Sequence, residues 1–295
     1  MNTIETRRHF LSAALGTLAS ACVHSQPGRS MASADELQSI RQIESKTGGR
    51  LGVFALDMQT GRQLASRADE RFAMCSTFKW VLAAQVLAGV DRSQWSLDQN
   101  VGYGSRDLLE YAPATKEHVA RGYMTVEELA RAAVVVSDNT AANLLLSKLG
   151  GPEGLTQFTR ALGDRTTRLD RIEPALNSNE PGDVRDTTSP RAMVLLMNRI
   201  LCGDALSPSS RQRLIGWLQA CETGKARLRA GLPSEWAAGD KTGTGNNGAC
   251  NDVAMAVPAG RAPVLIAVYL SDGHEKIEVL EAAHADVARI IAGHI

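Results

Sequence analysis

The sequence predicts an α/β sandwich-type fold in two domains: an antiparallel sheet drawn from both chain ends and flanked by helices, with an all-α domain inserted between. Three observations carry this. Strand-like runs lie near the start (residues 50–64) and near the end (residues 236–270). Between them, from Ser76 to about Ala220, apolar residues recur at helical spacing. The chain of 295 residues, 44% hydrophobic and 22% charged, is long enough for a sizeable core. A net charge of +0 gives no electrostatic case for nucleic acid or an anionic membrane.

Residues 1–34 read as an export signal and linker. Thr6-Arg7-Arg8-His9-Phe10-Leu11 supplies a charged start, followed by the apolar SAALGTLASA and Cys22. The paired arginines resemble a twin-arginine signal, which makes that export machinery a partner in transit and the periplasm the destination. The apolar stretch is shorter than the roughly 20 residues that span a bilayer. A helical or disordered end of a cytosolic protein is the alternative. Cleavage fits after Ala21 or after Ala34, and a lipid anchor at Cys22 fits its surroundings poorly. An oxidising compartment makes a Cys202–Cys221 disulfide a candidate. Cys75, Cys202, Cys221 and Cys250 show no CxxC or metal spacing, and the six histidines form no HExxH or HxH. His284 and His294 are therefore expected at the surface, with no metal, no cofactor and a monomeric chain.

The α/β domain is assigned to residues 35–67 and 222–295, the all-α domain to residues 68–221. Asp35–Lys46 is an amphipathic helix with Leu37, Ile40 and Ile43 on one face. Arg50–Asp57 and Thr60–Leu64 form a hairpin around Gly61. Helices follow over Val126–Val135, Asn139–Leu149, Gly154–Leu162, Arg191–Leu201 and Ser209–Ala220. Strands are expected over Trp236–Asp240, Asp252–Val257 and Val264–Leu270, then a last helix over Lys276–Ile291. Residues 163–190 are polar and rich in Pro, Gly, Asp and Asn; a loop of that length is usually functional or disordered. Arg171 and Asp186 are placed to clip its ends by a bidentate pair.

The chemistry starts with MCSTFKWVLAAQVLAG, an apolar helix with Lys79 in its first turn, three residues after Ser76. That spacing puts both on one face, so hydroxyl and amine are expected within hydrogen-bond reach. Apolar surroundings disfavour the ammonium and lower its pKa, and a lysine without its proton can take one from a serine. Ser137-Asp138-Asn139 follows an apolar helix end, where a helix N-cap is the plain alternative. Lys241-Thr242-Gly243-Thr244 follows the strand ending at Asp240, where a turn with a solvated lysine is the alternative.

Together and in this order, Ser76-Thr77-Phe78-Lys79, Ser137-Asp138-Asn139 and Lys241-Thr242-Gly243 resemble the three signature motifs of serine β-lactamases and penicillin-binding proteins. Glu173-Pro174-Ala175-Leu176-Asn177 resembles the ExxLN of class A β-lactamases, and the likeness runs from about residue 35 to the C-terminus. The resemblance implies hydrolysis of penicillins and cephalosporins through an acyl-enzyme on Ser76. It makes Lys79 the acylation base or a relay, with Glu173 acting through a water as the rival base. Glu173 is implied as the deacylation base, Asn177 as holder of its water, and Ser137 as proton donor to the ring nitrogen. Asn139 would bind the substrate's side-chain amide. Lys241, Thr242 and Thr244 would face its carboxylate, and the backbone N–H groups of Ser76 and Thr244 would form the oxyanion hole. A cis Glu173–Pro174 bond is expected by the same likeness. Where some relatives carry an arginine this chain has Cys250; Arg227 matches the alternative arginine for the carboxylate, against a surface charge. Tyr111 resembles the aromatic wall at the mouth, against a packed loop tyrosine. Relatives that hydrolyse carbapenems often pair a cysteine at position 75 with one at position 245. Gly245 forbids that pair, so little carbapenem turnover is expected. The rival readings are a DD-peptidase, which usually lacks the ExxLN glutamate, a penicillin sensor acylated once, and a glutaminase-like hydrolase.

Overall fold

The computed structural model describes residues 31–294, so the export signal, His9, His24 and Cys22 lie outside the described residues. The described residues begin with α1 (Ala34–Thr47), β1 (Arg50–Asp57), β2 (Gln63–Ser66) and β3 (Phe72–Ala73), then α2 (Phe78–Asp91), β4 (Asn100–Gly102), α3 (Pro113–His118) and β5 (Tyr123–Thr125). Next come α4 (Val126–Val135), α5 (Asn139–Lys148), α6 (Gly151–Ala161), β6 (Thr187–Thr188), α7 (Pro190–Met197) and α8 (Pro208–Gln219). It closes with α9 (Leu228–Gly231), β7 (Ala237–Thr244), β8 (Cys250–Val257), β9 (Val264–Ser271) and α10 (Ile277–Ala292). Among the described residues no helix is long and apolar enough to cross a membrane.

Five strands form one antiparallel sheet in the order β2-β1-β9-β8-β7, so the two chain ends do meet in it. Side-chain alternation divides β9 between two cores. Val264, Ile266, Val268 and Leu270 pack with Ile40 and Ile43 of α1 and Leu280 and Val287 of α10. Leu265, Ala267 and Tyr269 face the other core, with α2, α4, α5, α7 and α8. A strand covered on both faces carries a continuous apolar run, as VLIAVYL does. The same logic explains α2: every residue from Phe78 to Gly89 is buried, so apart from Lys79 and Gln85 the helix is apolar all round.

Several expectations shift. The second hairpin strand starts at Gln63, because Asp57 N–H bonds Arg62 O and Gly61 N–H bonds Asp57 O, holding residues 58–62 in the turn. The helix expected over Arg191–Leu201 is α-helical only to Met197, then runs as a π turn over Asn198–Cys202. The short α3 and the two-stranded pairs β3–β6 and β4–β5 had no periodicity to announce them. His284 is not at the surface: it lies four residues from Leu280 on the face of α10 that packs on the sheet, fully buried, its Nδ1 on Leu280 O at 2.8 Å. Burial pushes its pKa down to about 3. Cys75, Cys202, Cys221 and Cys250 are free thiols, so the candidate disulfide is not formed.

Candidate active site

β3 leads into a 3₁₀ turn, Cys75–Thr77, which opens directly into α2. Ser76 sits half-buried in that turn and Lys79 fully buried in the first turn of α2. The expected direct Ser76–Lys79 bond is replaced by a three-body contact. The Ser76 hydroxyl donates to Glu173 Oε1 at 3.2 Å, and Lys79 Nζ lies 3.0 Å from the same oxygen. A buried ammonium pairs with a carboxylate before a neutral hydroxyl, because charge-assisted bonds are roughly twice as strong. Lys79 Nζ also donates to Ser137 O at 2.8 Å and Asn139 Oδ1 at 2.5 Å, with Ser137 Oγ at 3.4 Å. Burial lowers the pKa of Lys79, and the Glu173 carboxylate opposes it in part.

At the end of α4 the chain turns sharply, with Ser137 at φ +58°. The N-cap of α5 is Asp138, whose carboxylate takes the N–H of Ala141 at 2.8 Å and also those of Ala114 and Thr115. Capping thus falls to Asp138, and the Ser137 hydroxyl is left between two lysines. Lys241 Nζ donates to it at 3.0 Å.

Lys241-Thr242-Gly243-Thr244 lies inside β7, the edge strand, and not in a turn after a shorter strand. Its polar residues hid the strand from an apolar-periodicity reading, since their partners are site groups. Lys241 is fully buried, and that burial, with Lys79 and Arg227 adding repulsion against the opposing Cys221 and Asp240, lowers its pKa to about 8. Gly243 permits the strand's close approach: a Cβ there would sit 2.6 Å from Met74 O and 3.1 Å from Thr77 N. Gly245 N–H bonds Ala249 O, and in an antiparallel ladder hydrogen-bonded pairs alternate, so the Thr244 N–H points away from β8 toward the open side. Arg227 is only 4% exposed, which removes the surface-charge alternative. Its guanidinium donates to Thr244 Oγ1 at 2.7 Å, Gly243 O at 3.0 Å and Asn251 O at 2.8 Å.

The long loop brings Glu173 in from the opposite wall. Its backbone is clasped by Asn143, which donates to Glu173 O at 2.9 Å and accepts from Glu173 N at 3.0 Å. Asn177 Nδ2 donates to Glu173 Oε2 at 2.5 Å, and the Glu173–Pro174 bond is cis. Arg171 and Asp186 do pair, through Nε to Oδ2 at 2.5 Å. The pair is single-toothed, because Asp186 Oδ1 takes the N–H groups of Asp170 and Arg171 and the Arg171 fork reaches Asp183 instead.

These groups converge on a cleft of about 370 Å³. Ser76, Ser137, Asn139, Asn177, Thr242 and Thr244 line it, with Arg227 and the half-exposed Tyr111 at its margins, while Lys79, Lys241 and Glu173 stand behind the wall. Three participants went unread. Thr223 lines the cleft and shares a 2.5 Å hydrogen bond with Thr242 Oγ1. Glu281 accepts from Arg227 Nε at 3.2 Å from 54 residues away. Asn143 sits four residues after Asn139, one helical turn along α5, which is the only signal that could have found it. A Cβ at Gly245 would lie 2.7 Å from Cys75 Sγ, so the two positions are indeed neighbours, and Cys75 stays a thiol.

A family model described as "Beta-lactamase enzyme family" matches residues 35–295. The β-lactamase CTX-M-8 of Citrobacter amalonaticus is 46% identical over 257 residues, 87% of this chain and 88% of that protein. The "Carbapenem-hydrolyzing beta-lactamase KPC" of Klebsiella oxytoca is 46% identical over 250 residues, 84% of this chain and 85% of that protein. Among solved structures, "Ancestral (GNCA) Beta-lactamase class A" superposes with a TM-score of 0.87 at 52% identity, covering 88% of this chain and 100% of the other.

Proposed function

We propose a residue-by-residue mechanism from one premise: the chain belongs to the class A serine β-lactamase family. It hydrolyses the β-lactam amide through a serine ester and so confers antibiotic resistance. Ser76 Oγ attacks the lactam carbonyl carbon and gives its proton to the Lys79–Glu173 pair, on the carboxylate with Lys79 as relay or, without the carboxylate, on the buried amine itself. The carbonyl oxygen becomes an oxyanion facing the backbone N–H groups of Ser76 and Thr244, each donor commonly worth about 10²–10³ in rate. The C–N bond breaks, and the ring nitrogen takes a proton from Ser137 Oγ; Lys79 replenishes Ser137 and recovers the proton that came from Ser76, so Glu173 is again a carboxylate for the next step, while Lys241 holds the Ser137 hydroxyl in place. Lys241, Thr242, Thr244 and Arg227 hold the substrate carboxylate. Asn139 presents its Nδ2 to the substrate's side-chain amide, its Oδ1 being occupied by Lys79. Water held by Glu173 and Asn177 then attacks the ester, its proton goes to Glu173, and Ser76 recovers its hydrogen.

The observation that carries this is the Glu173 carboxylate wedged between Ser76 and Lys79 in a buried site. A nitrocefin time course with substrate in large excess tests it. Linear hydrolysis over many turnovers is expected; a single burst equal to the enzyme concentration would make the chain a penicillin-capturing protein instead.

Three finer readings belong here. Residues 1–34 direct twin-arginine export to the periplasm, supported by Arg7-Arg8 before the short apolar stretch. Fractionation of cells expressing the Arg7→Lys/Arg8→Lys chain is expected to find the enzyme retained in the cytoplasm, and lipid at Cys22 would appear as a mass increment. The chain works as a monomer without a metal, divided into residues 35–67 with 222–295 and residues 68–221, a division supported by which segments build the five-stranded sheet. Carbapenem turnover is weak, because Cys75 has no partner at Gly245; a kcat/KM for a carbapenem equal to that for a penicillin would refute this.

A further inference from the structure

Between α8 and α9 the chain passes behind the carboxylate end of the cleft. This turn is tied down at both sides: Cys221 N–H donates to Leu218 O at 3.1 Å, and Glu222 N–H to Val135 O, the last residue of α4, at 3.0 Å. Cys221 is 1% exposed. Its Sγ lies 3.3 Å from Thr223 Oγ1, and Thr223 Oγ1 lies 2.5 Å from Thr242 Oγ1. Thr223 and Thr242 both line the cleft. Three side chains thus connect the buried interior to the hydroxyl that faces the substrate. The rival acceptor for the thiol is Asp240. Its charge is matched by Arg229, and neither of its oxygens has a hydrogen-bond partner among the described residues. Burial first, then the Asp240 charge, pushes the thiol pKa up against the opposing Lys241 cation, so Cys221 keeps a proton to donate.

We infer that Cys221 and Thr223 form a donor relay behind Thr242: the thiol donates to Thr223 Oγ1, Thr223 O–H donates to Thr242 Oγ1, and Thr242 O–H is thereby aimed at the substrate carboxylate. Counting hydrogens fixes the direction. A hydroxyl has one proton to give. If Thr242 gives its proton to the carboxylate, its oxygen must accept from Thr223, and Thr223 must in turn accept from the thiol. The reverse direction would set the lone pairs of Thr242 against a carboxylate. The neighbouring hydroxyl on β7 is backed in the same way: Arg227 donates to Thr244 Oγ1 at 2.7 Å, which leaves the Thr244 proton for the substrate. No proton changes hands along the relay; it only sets where three hydrogens point. Cys221 is therefore a positioning residue, acting through Thr223 and Thr242. This rests on the mechanism proposed above, in which Thr242 holds the substrate carboxylate.

A double-mutant cycle tests the relay, because it separates a hydrogen-bond network from packing. Cys221→Ala, Cys221→Ser, Thr223→Val, Thr242→Val and the doubles Cys221→Ala/Thr223→Val and Cys221→Ala/Thr242→Val are assayed with benzylpenicillin for kcat and KM, alongside the thermal midpoint. Cys221→Ala removes the first donor, and KM should rise on the order of fivefold with kcat nearly unchanged, the mark of lost uniform binding. Cys221→Ser supplies a stronger donor, so its KM should equal that of the unmutated enzyme or fall below it. Thr223→Val should raise KM at least as much as Cys221→Ala. Adding Cys221→Ala to Thr223→Val or to Thr242→Val should change KM no further, since the relay is already cut. A Cys221→Ala effect of the same size in all three backgrounds, or a Cys221→Ser variant no better than Cys221→Ala, would reduce the thiol to a packing group and overturn the inference. Absence of benzylpenicillin turnover in the unmutated enzyme, or a Thr242→Val variant with unaltered KM, would overturn the underlying mechanism instead, so the two failures are distinct.

Discussion

The turn that carries Ser76 and the loop that carries Glu173 meet at a 3.2 Å hydrogen bond, but they are held there by different forces. Ser76 and Lys79 ride on α2, whose residues from Phe78 to Gly89 are all buried in the larger core. Glu173 rides on residues 163–190, where Leu169 and Leu176 are the buried apolar side chains and the remaining restraint is polar: Asp186 on Arg171, Asn143 on the Glu173 backbone, Asn179 on Asn247. Packing places the nucleophile; hydrogen bonds place the base. Mutations that weaken packing should therefore lower stability while leaving the chemistry of folded molecules alone. Mutations in the loop's polar net should slow deacylation beyond their effect on stability.

Lys79→Ala tests the packed half most severely. It removes the buried cation between Glu173, Ser137 and Asn139, and the acylation rate should fall by about 10²–10⁴ in a stopped-flow single-turnover experiment. Acylation at the original speed would show that burial of that lysine is incidental.

A matched pair sharpens the contrast at smaller scale. Leu87→Ala, far along α2 from Ser76, should cost about 2–5 kcal/mol in denaturant unfolding with acylation and deacylation of the folded enzyme unchanged. Arg171→Ala should cost about 1–3 kcal/mol, since it strips a fully buried carboxylate of its charged partner, and should slow deacylation more than acylation. The reverse pattern of kinetic effects would dissolve the distinction.

The carboxylate end of the cleft has its own pH signature. Burial depresses the pKa of Lys241 to about 8, so the free enzyme carries this cation below that pH and loses it above. Attraction for the substrate carboxylate is present on the acid side and lost on the alkaline side. Accordingly kcat/KM should decline as pH rises through about 8, and Lys241→Arg, whose guanidinium stays charged, should remove that limb even if the maximum is lower.

Much of this was legible in the residues. The helix over Val126–Val135 and the antiparallel strands from both chain ends follow from periodicity, because each buries a regular apolar face. Ser76, Ser137 and Lys241 were legible because their motifs are short and contiguous. Three kinds of feature were not. β7 was read too short because its last residues, Lys241 to Thr244, are selected for the cleft and carry no apolar alternation. The Ser76–Glu173 contact joins residues 97 apart, and helical spacing could only suggest the Ser76–Lys79 contact that the carboxylate displaces. Glu281, Thr223 and the contact of Asn179 with Asn247 are pairings between distant segments, set by how the loop and the sheet edge dock, and no local pattern encodes them.

The central claim is that a loop held by hydrogen bonds supplies the base that discharges an ester formed by a packed nucleophile. Intact-protein mass spectrometry of Glu173→Gln after mixing with benzylpenicillin tests it most directly. The account predicts that the variant accumulates to full occupancy as a covalent adduct of enzyme plus intact penicillin mass, persisting for many times the lifetime of the unmutated acyl-enzyme. A variant that turns over at the unmutated rate, with no adduct, would contradict it and place the deacylating base elsewhere.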